Sequence, residues 1–232
     1  GADKILARNH QALAVPILSL ISTSIPQTNA ATEPACLKMK VLTSIFLFQT
    51  VLANGEPAPE KHSIRIAIAA RQQIGVTTSY DPAYVSLKYP NGDIPKERGV
   101  CTDVVIRALR RLDFDLQKLV HEDMKKNFSK YPSTWKLKRP DKNIDHRRVP
   151  NLQRYFERRG ISLKLSKDPA NFKSGDLVTC EVPGNRPHIM VVSDQKNSEG
   201  IPCVIHNIGA GASEDDALFT FKLTGHYRWF KN

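Results

Sequence analysis

The sequence predicts an α+β fold, on three observations. Apolar residues recur at helical steps from His62 to Arg159, and from Leu177 onward they alternate at period two. The alternating runs are short and joined by turn residues, which makes antiparallel pairing the economical connection. Helices first and antiparallel strands afterwards is the α+β order, and no internal repeat, heptad array or low-complexity tract competes with it.

Taken in order, Ile64, Ile66, Ala67, Ile68, Ala70 and Ile74 predict a helix over 62–74 that Gly75 ends. Thr77 to Tyr84 is a polar loop with two tyrosines, and Tyr89 to Pro95 is turn chemistry. A second helix starts at Cys101, with Val104, Val105, Ala108, Leu109 and Leu112 inward and Arg107, Arg110 and Arg111 mostly outward. A third spans roughly 115–129 with His121 beside its apolar face, read as structural or solvent-exposed. Residues 131–150 form a long irregular segment of proline, aromatics and charge, and such loops often carry function. A fourth helix runs from Asn151 to Arg159 and stops at Gly160. Strands are expected at 177–182, 188–194, 203–208 and 218–223, as an antiparallel meander.

The first 53 residues differ from the rest. Met39-Lys40 precedes an apolar run from Val41 to Ala53, the pattern of a secretory signal cut near Ala53. The run is short of the ~20 residues of a membrane span, so no stable membrane insertion is expected. Residues 1–38 would be an upstream extension, although Ala12 to Ile21 could itself be a signal or an amphipathic helix. The expected organisation is 1–53 extension plus signal, 54–62 linker and 63–232 one domain, with the mature chain exported as a monomer.

Net charge is +11, from 34 basic and 23 acidic residues among 232. That suits an anionic partner, but the charges are mixed in sign and not interleaved with aromatics, so nucleic acid is not expected. The four cysteines have no metal-knuckle spacing. Export would permit a Cys180–Cys203 bridge.

Gly99 and Pro95 keep the approach to Cys101 non-helical, so the thiol sits on a helix N-terminus, where the dipole favours thiolate and lowers its pKa from ~8.5. The plain alternative is a small buried hydrophobe at a helix start. Period-two geometry puts His188 with Met190 and Val192, and His206 with Val204 and Ile208. If that face of the sheet packs on the Cys101 helix tip, His188 can pair with the thiol. His206, or Asn207 if the register shifts, can then orient the imidazole. The same three side chains would also suit a catalytic zinc, though thiol chemistry needs no metal or cofactor. Asp145, His146, Arg147 and Arg148 could line a cleft and grip a carboxylate.

Several blocks resemble an uncharacterised bacterial envelope family grouped with the NlpC-type, papain-like murein peptidases and amidases. They are Tyr80-Asp81-Pro82-Ala83-Tyr84, Arg98-Gly99-Val100-Cys101-Thr102-Asp103, Leu119 to Met124, Asn143 to Leu152, Pro187-His188-Ile189, His206-Asn207-Ile208-Gly209 and Gly225 to Arg228. The resemblance runs from about residue 63 to 229. It implies a papain-like fold and a thiol hydrolase acting on amide bonds of peptidoglycan stem peptides. Cys101 would be the nucleophile, His188 the base and then acid, and His206 the orienting residue, with Tyr80 assisting the oxyanion. Asp103, Asp145, His146, Arg147, Arg148 and Asn207 would contact substrate. Two departures stand out: Val100 and Thr102 flank the cysteine where better-known relatives carry Asp and Ser, and Cys180 replaces an expected tryptophan.

Overall fold

A computed structural model describes residues 59–231. The expectations for the signal and the upstream extension lie outside those residues. Among the described residues no helix is long and apolar enough to cross a membrane.

Among the described residues four α-helices form: α1 (Pro59–Arg71), α2 (Cys101–Arg110), α3 (Leu116–Asn127) and α4 (Val149–Arg158). Each lies within a few residues of its expected range. After α1 the chain turns through Gly75 at φ +77°, and after α4 through Gly160 at φ +68°, a conformation that glycine takes without strain. Asp115 caps α3, its carboxylate accepting from the Gln117 N–H at 3.1 Å.

The described residues form seven strands, β1 (Ser79–Tyr80), β2 (Arg98–Gly99), β3 (Leu177–Val182), β4 (Arg186–Lys196), β5 (Pro202–Asn207), β6 (Ala212–Asp215) and β7 (Lys222–Tyr227). β1 and β2 pair in parallel, and the other five form one antiparallel sheet in the order β6-β5-β4-β3-β7. Two corrections follow. The strand expected at 218–223 begins only at Lys222, because residues 218–221 turn the chain and bury Leu218. The sheet is also not a plain meander: β3 to β6 are sequential neighbours, but β7 returns across the sheet to pair with β3.

The helices cover one face of the sheet. Ile66, Val105, Leu109, Leu116, Leu152 and Phe156 pack there against Leu177, Ile189, Val191 and Ile205. Burying side chains of this size contributes roughly 1.5–3 kcal/mol each. The other face has its own cluster, in which Val178, Cys180, Met190, Val192 and Val204 pack with Phe172 and Leu218. β3 and β5 lie on either side of β4, so Cys180 and Cys203 are two strands apart, about 9.5 Å across the sheet at ordinary spacing. They are offset along β4 as well, Cys180 facing His188 and Cys203 lying next to Val204, which faces Val192. No disulfide spans that gap, and both cysteines are free.

Candidate active site

Cys101 opens α2 as its first residue. Asp103, two residues on, accepts from the Val100 N–H at 2.7 Å and fixes the helix start. The approach to that start is held from behind by Arg107. Expected on the outer side, Arg107 is instead buried. It pairs with Asp93 and donates to the carbonyls of Ile94, Pro95 and Arg98, at 3.0 to 3.3 Å. A guanidinium supplies enough donors to satisfy several loop carbonyls at once.

The sheet meets α2 differently from the expectation. On β4 the residues packed toward the helices are Ile189 and Val191, while Met190 belongs to the opposite cluster and His188 shares its parity. Cys101 therefore meets β4 at its backbone. Val192 donates its N–H to Asp176 on the β3 side, so the N–H groups of Val191 and Ile189 point toward β5. β5 pairs at Val191 but has parted from β4 by Ile189. The freed Ile189 N–H lies by the Cys101 sulfur, together with the N–H groups of Thr102 and Cys101.

Those donors do not acidify the thiol. Burial pushes Cys101 up to about 11, against the lowering effect of the three N–H groups, and the residue is 4% exposed. The expected depression of its pKa is thus overturned, because desolvation of the thiolate outweighs the helix tip.

Beside the Ile189 amide, His188 begins a relay of three side chains. Its Nε2 lies 2.8 Å from Nδ1 of His206, whose Nε2 lies 2.9 Å from Oδ2 of Asp215. The β4–β5 register, carried on from Val191↔Ile205, sets His206 diagonal to His188, within reach of two imidazoles. The rings meet edge to face at 5.0 Å. Asp215 also accepts from the Ser213 hydroxyl at 2.6 Å. Burial works against its charge, but the Ser213 and His206 hydrogen bonds prevail and hold the carboxyl below its usual range.

An ionised Asp215 only accepts, which assigns the protons along the chain. His206 carries its hydrogen on Nε2 and accepts at Nδ1, so His188 donates from Nε2. Nδ1 of His188 is left as the basic nitrogen. Burial, then the neighbouring His206, lowers the His188 pKa to about 3, so the ring is neutral at pH 7. No hydrogen bond joins either of its nitrogens to the Cys101 sulfur among the described residues. The facing pair of nitrogens also disfavours a zinc bound by Cys101, His188 and His206, since their lone pairs do not converge on one point.

Tyr80 reaches the same place from β1. It is 42% exposed, and burial first, then proximity to Cys101, raises its pKa. Asn207 is a clamp, and the side chain hydrogen-bonded to His188 is that of His206. Its amide donates to the Ser79 and Gly99 carbonyls at 3.2 and 3.0 Å and accepts from the Gly209 and Gly211 N–H groups. It ties β1 and β2 to the β5–β6 turn. Gly211, at φ +101°, permits this approach, since a Cβ there would lie 2.6 Å from the Thr77 carbonyl.

The expected carboxylate grip is taken apart. Arg147 binds Asp103 through two 3.0 Å hydrogen bonds in a buried pair and donates to the Asp81 and Ala83 carbonyls. Both residues are thereby spent on shaping the site. Asp145 is buried against Arg148, and burial raises its pKa. His146 is buried and held neutral, its pKa lowered to about 3 by burial and by Arg147. Arg148 stacks on Trp135 with its guanidinium carbon 4.1 Å from the ring centroid, and lines a separate pocket of about 120 Å³.

Asp215 is the member of this relay that the sequence left unnamed. It belongs to a strand without apolar alternation, and its one signal was an acidic residue within ten positions of His206.

A family model described as "Domain of unknown function (DUF1287)" matches residues 67–229. The chain is 60% identical to the "Uncharacterized protein YijF" of Escherichia coli (strain K12) over 168 residues, which cover 72% of this chain and 82% of that protein. Among solved structures, "Structure of NlpC1 from Trichomonas vaginalis" aligns with a TM-score of 0.39 and 13% identity, over 74% of this chain and 45% of that one.

Proposed function

We propose, from the premise that this chain belongs to the DUF1287 family, that it is an exported cysteine peptidase or amidase of the cell envelope. Its substrate would be an amide bond in a peptidoglycan stem peptide, cut on a papain-like scaffold. The observation that carries this reading is the His188–His206–Asp215 relay, which leaves one basic nitrogen on the residue next to Ile189, whose amide lies by the helix-tip Cys101 sulfur.

The chemistry begins from a neutral pair. Nδ1 of His188 takes the thiol proton as the sulfur attacks the carbonyl carbon, so the thiolate exists only as the bond forms. Catalytic hydrogen bonds absent from an empty site often form only with substrate in place. The tetrahedral oxyanion receives the Cys101 N–H and the Tyr80 hydroxyl. The imidazolium, steadied through His206 by Asp215, returns its proton to the leaving nitrogen, and the C–N bond breaks. Water then gives a proton to Nδ1 and attacks the acyl-thioester. The acid departs and Cys101 regains its proton.

The test is to incubate the protein with purified sacculi and to separate the soluble products. Released muropeptides, lost with Cys101→Ala and with His188→Ala, are the expected result. Release that persists without Cys101 would refute it.

One observation favours a second reading, a murein-binding module on the same fold. The thiol is buried with its pKa raised to about 11, and it lacks a hydrogen bond to His188. Binding of sacculi with no product formed would select that reading.

A further inference from the structure

Away from the thiol, the segment 137–143 and α3 enclose a groove of about 900 Å³. Four cations line it: Lys125, Lys138, Arg139 and Lys142. Lys138, Arg139 and Lys142 form no ion pair with any described acid, and Lys125 has only an exposed partner, Glu122, at 3.5 Å. Asp141 is the single acid in the wall. Its Oδ2 accepts from the Tyr84 hydroxyl at 3.0 Å, and Tyr84 in turn accepts from the Asn143 amide at 2.8 Å. His121 completes the wall. It is 8% exposed, and its Nδ1 is buried without a hydrogen-bond partner. Four cations around one engaged carboxylate leave a surplus of positive charge in a concave site, where field lines concentrate.

The groove is coupled to the catalytic centre through a single loop. Tyr80 stands beside Cys101, Tyr84 lines the groove, and Arg147 holds the carbonyls of Asp81 and Ala83 between them. Four residues of chain reach at most about 14 Å. An extended peptide of about that many residues, with its scissile amide at the sulfur, is long enough to span from there to the Tyr84 edge of the groove.

We propose that this groove is a subsite for a carboxylate of the peptide substrate, several bonds away from the amide that is cut. The assignment rests on the hydrolase reading for its substrate, and it moves the acid-binding role from Arg147 and Arg148 to residues 125 and 138–142. Guanidinium and ammonium groups at an open groove suit a hydrated carboxylate, and carboxylates recur along a murein stem.

The experiment uses the full chain carrying Cys101→Ala, with and without Lys138→Gln, Arg139→Gln and Lys142→Gln together. The probes are a murein tetrapeptide stem with free carboxylates, the same stem fully amidated, and inorganic phosphate, all followed by calorimetry. Removing three solvated charges is expected to weaken binding of the free stem by about 10-fold or more, and to leave the amidated stem within about twofold. Equal binding of the free stem by both proteins overturns the subsite, as does the absence of any stem binding. Phosphate displacing the stem at equal concentration overturns the carboxylate assignment. If affinity falls as expected while the chain with Cys101 intact cuts nothing, the groove stands and the hydrolase reading fails. If the chain cuts and the triple substitution leaves KM unchanged, the groove alone fails.

Discussion

Nε2 of His206 lies 2.9 Å from Oδ2 of Asp215, and this contact decides which nitrogen of His188 is basic. With an acceptor-only carboxylate at the end of the chain, each imidazole donates outward from Nε2. Asparagine at 215 can present its NH₂ to His206 instead, which reverses the tautomers and leaves His188 with a proton on Nδ1. Asp215→Asn is expected to lower kcat/KM on the order of 10²-fold with little change in KM. Loss of the equivalent tautomer lock in a serine protease triad costs ~10⁴-fold, and the half-exposed Asp215 side chain can be partly replaced by water. Asp215→Glu should recover part of the loss. Steady-state kinetics with a fluorogenic stem peptide would measure it, and equal rates for all three proteins would remove Asp215 from the mechanism.

The resting thiol is predicted to be sluggish. With Cys101 at about 11 and His188 at about 3, the neutral pair is favoured over thiolate and imidazolium at pH 7. Alkylation of Cys101 by iodoacetamide should rise with pH through 9 and beyond, as thiolate forms. A plateau reached already near pH 6 would mean a preformed ion pair and would contradict the geometry described.

Asp103 and Arg147 are predicted to be structural first. Removing one partner of a buried ion pair commonly costs about 3–5 kcal/mol, because the other charge is left uncompensated. Arg147→Ala also frees the Asp81 and Ala83 carbonyls, so the Tyr80 loop should loosen. Urea unfolding of Asp103→Ala, Arg147→Ala and the double variant provides the cycle. The double variant should lose less than the sum of the two, and additive losses would show that the pair is not coupled.

Stability should fall on mild acidification. His146 and His188 are neutral in the fold with pKa values lowered to about 3, whereas unfolded histidine titrates near 6.5. Between those values the unfolded chain binds more protons, so unfolding becomes easier as pH drops. The slope is about 1.4 kcal/mol per pH unit for each such histidine. Chemical denaturation at pH 7 and pH 5 would show it, and His146→Leu should make the slope shallower. Equal stability at the two pH values would mean that these rings are not buried as described.

How much of this was legible depended on whether the signal was local. β3 matches its expected range because Gly175-Asp176 and Pro183-Gly184 bracket a run of alternating residues. β6 was missed because Ala212-Ser213-Glu214-Asp215 offers no apolar face, and β7 was placed too early because Gly225 and His226 interrupt its pattern. The meeting of His188 and His206 followed from period two and antiparallel register. The sheet face that packs on α2 did not, since β4 is apolar at both parities from Ile189 to Val192 and either could have been the inner one. Arg147 looked available because Asp103, its partner, lies 44 positions away. A pairing at that separation leaves no trace in local pattern.

The most direct measurement is intact-mass spectrometry of the protein mixed with a murein stem peptide and quenched in acid during turnover. The account predicts an adduct equal to the acyl fragment, located on Cys101, released by hydroxylamine and absent from Cys101→Ala. Turnover of the peptide by Cys101→Ala at the wild-type rate, with no adduct on either protein, would contradict it.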